Sequence, residues 1–377
     1  MLDPRPAHCW NAFMLAAHAK SSRFDDDPSG AGQALQISVI ILNYNGAPWL
    51  KRCLESLHGQ TIFTEIEVIV ADNNSPDASA QLAAELMSGW SNGRVVQNGA
   101  NLGFCEGNNR GAAHAQGRWL FFLNNDTWLE PECLETLLAA AMEAGVEAAT
   151  PLMLNYEDDS VQSAGGGGFD LFGLMSQQKP SRVATDVFVA GGCSYLIKRE
   201  LFNQLGGFDP VFYMYADEYD LSWRVWASGA RIRLVPAARL HHRGSANVNP
   251  TGGDKIIETR TSDTKRYYSN RNSLLLLLKN AQHLLLLLVV PQLGLLALEA
   301  LVSLLLVRRW SFVRRAYWDA VVDCWKLRGH ILAERSRMRG LRRRNDFGML
   351  VFLRLRPNRW DDVVNLWRRG LPRITAG

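Results

Sequence analysis

The triplet Asn124-Asn125-Asp126 directly follows an apolar run, Trp119–Leu123, and within it only Asp126 supplies a charged side chain. A carboxylate so placed suits a hard divalent cation, Mg²⁺ or Mn²⁺, whose oxygen shell phosphate groups can complete. Such a cation neutralises charge on a departing diphosphate. Either His241 or His242 offers a nitrogen ligand, although a histidine pair after a short strand is more often a polar turn. Asp217, Glu218 and Asp220 form a second acidic group. Like charges this close raise one another's pKa when partly buried, which produces a competent base. On a helix Asp217 and Asp220 share a face and Glu218 turns away from it. Tyr44 can stack on a nucleobase while Asp72 or Asn73 hydrogen-bonds its edge. The segment Asn101–Gly111, with Asn109 inside it, carries glycines but neither a P-loop nor a dinucleotide-binding fingerprint. Kinase-like, ATPase and dehydrogenase chemistry therefore lose their main support.

These residues need a frame. Apolar runs at Ile37–Leu42, Val68–Ala71, Arg94–Gln97 and Trp119–Leu123 alternate with stretches of helical period, as at Trp49, Leu50, Cys53, Leu54 and Leu57. That alternation predicts an α/β fold with a mainly parallel sheet. Each run ends in Asn, Asp or Gly residues. One such cluster is most simply a turn or helix cap. Four at the C-terminal ends of parallel strands fall on one edge, where open α/β sheets bind ligands. Further along, Gly165–Gly168 reads as a flexible loop, Phe188–Ile197 as a strand, and Ile232–Val235 as a short strand preceding the histidines.

The 377 residues carry a formal net charge of +4, unevenly spread. Acidic clusters such as Asp25-Asp26-Asp27 lie early, and arginines concentrate after Val307. Leu274–Val307 is rich in leucine, with Pro291, Gln292 and Glu299 interrupting the apolar span, so a kinked, interfacial or re-entrant membrane helix is expected there. Arginines and tryptophans directly after it favour an anionic membrane surface as their partner over nucleic acid. The six cysteines are scattered without a C-x-x-C pair, which points to a reducing compartment. No basic segment followed by an apolar run opens the chain, so no secretory signal is expected. The reading divides the chain into a loose extension (1–35), a catalytic domain (36–273) and a helical membrane-associating region (274–377).

Six short motifs stand in order between Ile37 and Asn280: ISVIILNYNG, EVIVADNNSPDAS, NLGFCEGNNRGAAHAQGRWLFFLNNDTWLEP, GGCSYLIKRELFNQLGGFDPVFYMYADEYDLSWR, LHHRGSA and YYSNRNSLLLLLKN. In this order the chain resembles the family 2 glycosyltransferases, in particular their bacterial rhamnosyltransferase-like branch. The resemblance implies a GT-A fold, a Rossmann-like sheet flanked by helices. It also implies an inverting, metal-dependent transfer from a nucleotide diphosphate sugar, with dTDP-L-rhamnose the expected donor and a saccharide, lipid-linked, the expected acceptor. It assigns Tyr44, Asp72, Asn73, Asn109 and Asn125 to the nucleotide, Asp126 and His241 to the Mn²⁺ or Mg²⁺ ion, and Glu218 to the base. Asp217 stays the alternative base, because Asp217-Glu218 inverts the commoner Glu-Asp order. Asn125 stands where many relatives carry aspartate, which lowers the charge of the metal site. Arg271-Asn272 matches an Arg-Asn pair of uncertain role. The expected setting is the cytoplasmic face of the plasma membrane, in cell-surface polysaccharide synthesis. A nucleotidyltransferase, which would release pyrophosphate, and a non-catalytic membrane scaffold are the rival readings.

Overall fold

A computed structural model of the chain describes residues 35–244, 260–360 and 373–374. The extension expected over 1–35 lies, Leu35 apart, outside the described residues. Four strands, β1 (Ile37–Asn43), β2 (Ile66–Asp72), β3 (Gly93–Gln97) and β4 (Trp119–Asn124), run parallel in the order β3-β2-β1-β4. They are linked by α1 (Ala47–His58), α2 (Ser79–Leu86) and α3 (Gly103–Ala112). In β1, Ile37, Val39 and Ile41 join a core with Leu50, Cys53, Leu54 and Leu57 of α1, while Ile40 belongs to a second core with Cys105 of α3 and Phe122. The sheet is thus covered on both faces, which is why these strands read as continuous apolar runs.

The sheet then grows past β4. Following β5 (Thr127–Leu129) and α4 (Cys133–Glu143) come β6 (Ala148–Asn155), β7 (Val161–Ser163), β8 (Gly166–Phe169), β9 (Met175–Gln177), β10 (Thr185–Asp186) and β11 (Ser194–Lys198). After α5 (Arg199–Gln204) and α6 (Asp217–Ala227), β12 (Ile232–His242) completes the order β4-β11-β6-β12-β10. β11 is antiparallel to both of its neighbours, and β12 is parallel to β6. The parallel half matches the expectation, and register fixes its functional edge. Asn43 pairs with Asp72, Asp72 with Gln97, and Leu42 with Asn124. The four strand ends therefore share one edge.

Two readings are corrected. Gly165–Gly168 is no flexible loop, because Gly166–Phe169 forms a buried strand paired with β9. A Cβ on Gly168 would stand 1.9 Å from the Phe352 carbonyl oxygen, so these glycines serve close backbone approach. The domain boundary expected after residue 273 falls inside α7 (Asp263–Asn280). Leu274–Leu277 are buried in the same core as Phe212 and Trp223, so the first leucine run belongs to the catalytic domain's packing.

A buried charge network locks α7 beneath α6. Asp220 accepts two bonds from Arg224 (2.9 and 2.7 Å), one from Lys279 (2.9 Å) and one from Asn280 (2.7 Å). Lys279 also donates to Asp209 at 2.6 Å, and His330 joins Asp209 at 2.8 Å. Burial alone would raise the Asp209 pKa, but Lys279 and His330 reverse this and hold it well below the usual carboxylate range. Breaking such a cluster strands a buried charge, so Asp220 has a structural duty that neither Asp217 nor Glu218 shares. His330 comes from a later part of the chain. A turn, Leu285–Leu288, leads into α8 (Val289–Val307), followed by α9 (Trp310–Val313), a π-wound stretch (Arg314–Asp319), α10 (Ala320–Lys326) and α11 (Arg328–Leu341).

Candidate active site

The edge is organised around Asn43, which is fully buried at the end of β1. Its amide nitrogen donates to Asp72 (2.8 Å), Ser79 (2.8 Å) and Ser75 (3.2 Å), and its oxygen accepts from Asn125 at 2.9 Å. A side chain at Gly46 would collide with this last bond, at 2.1 Å from Asn43 Oδ1 and 2.3 Å from Asn125 Nδ2. Asp72 also accepts from the Ser75 amide and hydroxyl (3.0 and 2.6 Å). Asn73 donates to the Gly103 carbonyl (3.0 Å) and accepts from Asn98 (2.8 Å), tying the β2 end to the loop after β3. Asp72, Asn73 and Asn125 thus stand at the shared edge, with side chains engaged in shaping it. Tyr44 lies half-buried beside Tyr213, whose phenol pKa is raised by burial and then by the nearness of Tyr268 and Tyr44.

Asn109 is elsewhere. Both ends of its amide are taken by the Phe208 backbone, which it binds through Nδ2 to O (2.7 Å) and through Oδ1 from N (2.9 Å). The nucleotide role read for it is therefore not one its geometry offers. Sitting inside a glycine-rich segment, it looked like a ligand, but it clamps the turn that precedes Asp209.

The metal-ligand expectation also shifts by one residue. β12 extends through both histidines, so their side chains leave opposite faces. His241 stacks on Trp128 (centroids 3.7 Å apart, planes 5°) and faces Glu130 at 3.6 Å. His242 is the one beside Asp126, with Nε2 3.4 Å from Oδ1. Gln162 of β7 donates through Nε2 to Asn155 (3.0 Å) and to the His242 carbonyl (3.1 Å). Its remaining oxygen must then accept from His242 Nδ1, at 2.7 Å. In the neutral ring that places the proton on Nδ1 and the lone pair on Nε2, the nitrogen nearer Asp126. Burial would favour neutral His242, yet Cys193 and Asp126 more than offset it and raise its pKa. Among the described residues no group of three or more His, Cys, Asp or Glu side chains is arranged to hold a metal. Asp126 and His242 supply one oxygen and one nitrogen donor. Replacement of His242 by alanine should weaken cation-supported nucleotide binding by roughly tenfold or more, as loss of a metal-site partner does. His241→Ala should leave it unchanged, and calorimetric titration of both variants separates the two histidines.

The acidic pair lies across a short segment from these donors. Gly191-Gly192-Cys193 precedes β11. A Cβ on Gly192 would touch Glu218 at 3.2 Å from Cδ, the Cys193 carbonyl accepts from the Asn124 amide at 3.1 Å, and Cys193 lies beside His242. Glu218 and the Asp126–His242 pair thus both lie against this segment. Glu218 is half-buried, whereas Asp217 is 6% exposed. Burial raises the pKa of both, and the Glu218 charge raises Asp217 further. The turn before them is strained: Tyr213, Tyr215 and Ala216 have φ of 63°, 66° and 60°. Such backbone persists only where its surroundings over-determine it.

Those surroundings are Arg271 and Asn272, whose role sequence reading left open. Asn272 donates to the carbonyls of Phe212 (2.9 Å), Met214 (2.7 Å) and Tyr215 (2.8 Å). Arg271 donates to Val211 (2.6 Å) and to Asn272 (2.9 Å). Asn272→Ala should cost roughly 1–3 kcal/mol for each carbonyl left buried without a donor. It should lower kcat while leaving donor KM near its wild-type value, which thermal melting and steady-state kinetics together would show.

Known proteins resemble this chain in sequence and in fold. Residues 38–206 match the family model described as Glycosyl transferase family 2. N-acetylglucosaminyl-diphospho-decaprenol L-rhamnosyltransferase of Mycobacterium tuberculosis is 28% identical over 251 residues, covering 58% of this chain and 78% of that protein. O-antigen biosynthesis protein RfbC of Myxococcus xanthus is 28% identical over 230 residues, 56% of this chain and 18% of the relative. Among solved structures, S. aureus TarS 1–349 in complex with UDP-GlcNAc superposes with a TM-score of 0.54 at 16% identity, over 89% of this chain and 92% of that one. At that identity the likeness speaks for the fold alone, which is GT-A. The matched stretch takes in the strand-end asparagines, Asp126 and the glycines beneath Glu218, and on this footing residues 38–206 belong to the family 2 glycosyltransferases, resembling within them the bacterial rhamnosyltransferase-like branch.

Proposed function

We propose that this glycosyltransferase moves a sugar from a nucleoside diphosphate donor to a saccharide acceptor carried on a lipid, with inversion, at the cytoplasmic face of the plasma membrane. The observation that carries the reading is the approach of both Glu218 and the Asp126–His242 pair to Gly191-Gly192-Cys193. The first suits a base and the second a departing diphosphate, as a single displacement requires.

The donor lies along the strand ends, its nucleoside between Tyr44 and the Asp72–Asn73 end of β2 and its diphosphate toward Asn125 and Asp126. Mn²⁺ or Mg²⁺, held by Asp126, His242 and the diphosphate oxygens, would supply neutralisation of the leaving group's charge. Glu218 takes the proton of the acceptor hydroxyl as its oxygen bonds to the anomeric carbon, and the bond from that carbon to the diphosphate breaks. Asp217, kept protonated by burial and the Glu218 charge, leaves Glu218 as the group that ionises first, while Arg271 and Asn272 hold the turn that aims it.

L-rhamnose as the transferred sugar and a polyprenyl diphosphate saccharide as acceptor are supported by the mycobacterial relative's name, and the dTDP donor by the motif resemblance alone. A reducing compartment is supported by the five described cysteines, all buried and unpaired. Incubating the full chain with a panel of nucleotide sugars, Mn²⁺ and lipid-linked acceptors should release nucleoside diphosphate and form a product of inverted anomeric configuration by NMR. Release of pyrophosphate instead would identify a nucleotidyltransferase, and absence of any donor binding would leave a scaffold.

A further inference from the structure

The stretch Leu285–Val307 is 23 residues long and apolar enough to cross a membrane. At 1.5 Å per residue it reaches about 35 Å, so length alone permits a span. Its surroundings argue otherwise. Gln292, Leu296, Glu299 and Ser303 recur at helical spacing and form a stripe turned to the protein. Gln292 and Leu296 are buried, the Glu299 carboxylate meets Arg359 at 2.8 Å, and the Ser303 hydroxyl meets that of Tyr317 at 3.1 Å. Leu296 also packs with Phe312, Val313, Ala316 and Tyr317. Protein therefore covers one side of α8 well into its C-terminal half. The opposite side is bare: Val290 is 69% exposed, Leu298 58% and Leu305 63%.

Cations stand at both ends. Gln282, just before the helix, shares a small cavity with Arg339, Arg342, Arg343 and Arg344. Past the other end, Arg308, Arg309 and Arg314 are exposed, with Trp310 and Trp318 bare among them. A spanning helix would carry one arginine group across the membrane and set Glu299 and Arg359 at the depth of the acyl chains, an expensive arrangement. A helix lying in the plane brings both groups to one anionic surface and leaves the polar stripe in the protein.

We infer that Leu285–Val307 lies flat in one leaflet of an anionic phospholipid bilayer, with its bare face among the acyl chains and its two arginine groups on the headgroups. This rests on the membrane-proximal part of the proposed function and decides between its peripheral and re-entrant forms. It also gives the acceptor a direction of approach. Arg315, next to Trp318's stretch, stacks over Tyr267 (4.1 Å), and Arg271 lies over Tyr268 (4.9 Å), which stacks on Tyr213 of the strained turn. The embedded region is thus joined by a few side chains to the backbone that holds Glu218.

The test uses the full chain on vesicles of phosphatidylcholine with and without phosphatidylglycerol. Flotation should show binding tightened roughly tenfold or more by the anionic lipid, and Leu298→Glu with Leu305→Glu should abolish it while donor hydrolysis persists. Nitroxides on Val290→Cys, Leu298→Cys and Leu305→Cys should report one shallow depth by power saturation. A middle position far deeper than the ends, with the ends near opposite leaflets, would mean a span and overturn the inference. Failure to float, with transfer to a soluble acceptor intact, would overturn it too and leave the transfer chemistry standing. Equal shallow depths in a protein without turnover would support the flat helix and sink the chemistry instead.

Discussion

Replacing Glu218 with glutamine should lower glycosyl transfer by roughly 10²–10⁴-fold, the usual contribution of a positioned base. The substitution keeps the shape of the side chain over Gly192, so melting temperature and donor affinity should stay near their wild-type values. Turnover by wild type should also carry the mark of the buried pair. Burial raises the pKa of Glu218, and Asp217 is raised further by the charge next to it. A base works deprotonated, so activity falls as pH drops through the raised pKa, and the acid limb lies above the ordinary carboxylate range. The Glu218 charge helps keep the proton on Asp217, so Asp217 is neutral while Glu218 titrates, and Asp217→Asn should retain both the acid limb and activity. Stability follows the same sign. Acids whose folded pKa is raised contribute stability below their unfolded pKa and lose it as pH rises through the folded value. The Asp217→Asn protein should therefore melt with less sensitivity on the alkaline side. Glu218→Gln with wild-type turnover and Asp217→Asn without any would assign the base to Asp217.

Changing Asp126 to alanine should reduce kcat by on the order of 10²–10³-fold, as loss of a single preorganised partner for developing charge does. Unlike Glu218→Gln, it should also weaken donor binding, because Asp126 is the one carboxylate of the Asn124-Asn125-Asp126 triplet and the diphosphate needs the cation it would hold. Added Mn²⁺ should recover binding in part, since His242 and the diphosphate oxygens remain. The two variants then differ in kind. One binds the donor and cannot transfer, and the other binds poorly in a cation-dependent way. Equilibrium titration of a nucleoside diphosphate at several Mn²⁺ concentrations distinguishes them, and cation-independent binding to wild type would remove Asp126 from this role.

The parallel half of the fold was legible because its strands are buried on both faces and end in side chains that repeat one chemistry. Register then did what spacing promised, setting Asn43, Asp72, Gln97 and Asn124 on one edge. What spacing missed were matters of parity and partnership. His241 and His242 differ only in which side of β12 they leave, and sequence pattern alone ends that strand at Val235. Its true length, to His242, decides which histidine meets Asp126. Asn109 has the composition of a ligand, and only the fold reveals that Phe208 occupies both ends of its amide. Gly165–Gly168 looked mobile because glycine is permissive, whereas here it admits the Phe352 backbone. The leucine-rich segment was read as one object. Its first pentad fills the catalytic core and the stretch beyond keeps one face bare, a difference set by tertiary contacts with no local trace in a run of identical residues.

The central claim is that Glu218 and the Asp126–His242 pair, gathered at Gly191-Gly192-Cys193, act on one donor. A single-turnover assay with a nucleotide sugar, Mn²⁺ and a saccharide acceptor tests it most directly when run on wild type and Glu218→Gln. Wild type should convert donor and acceptor to nucleoside diphosphate and an inverted glycoside, and Glu218→Gln should bind the donor fully and form no glycoside on that timescale. Glycoside formed by both proteins at the same rate, or with retained configuration, would contradict it.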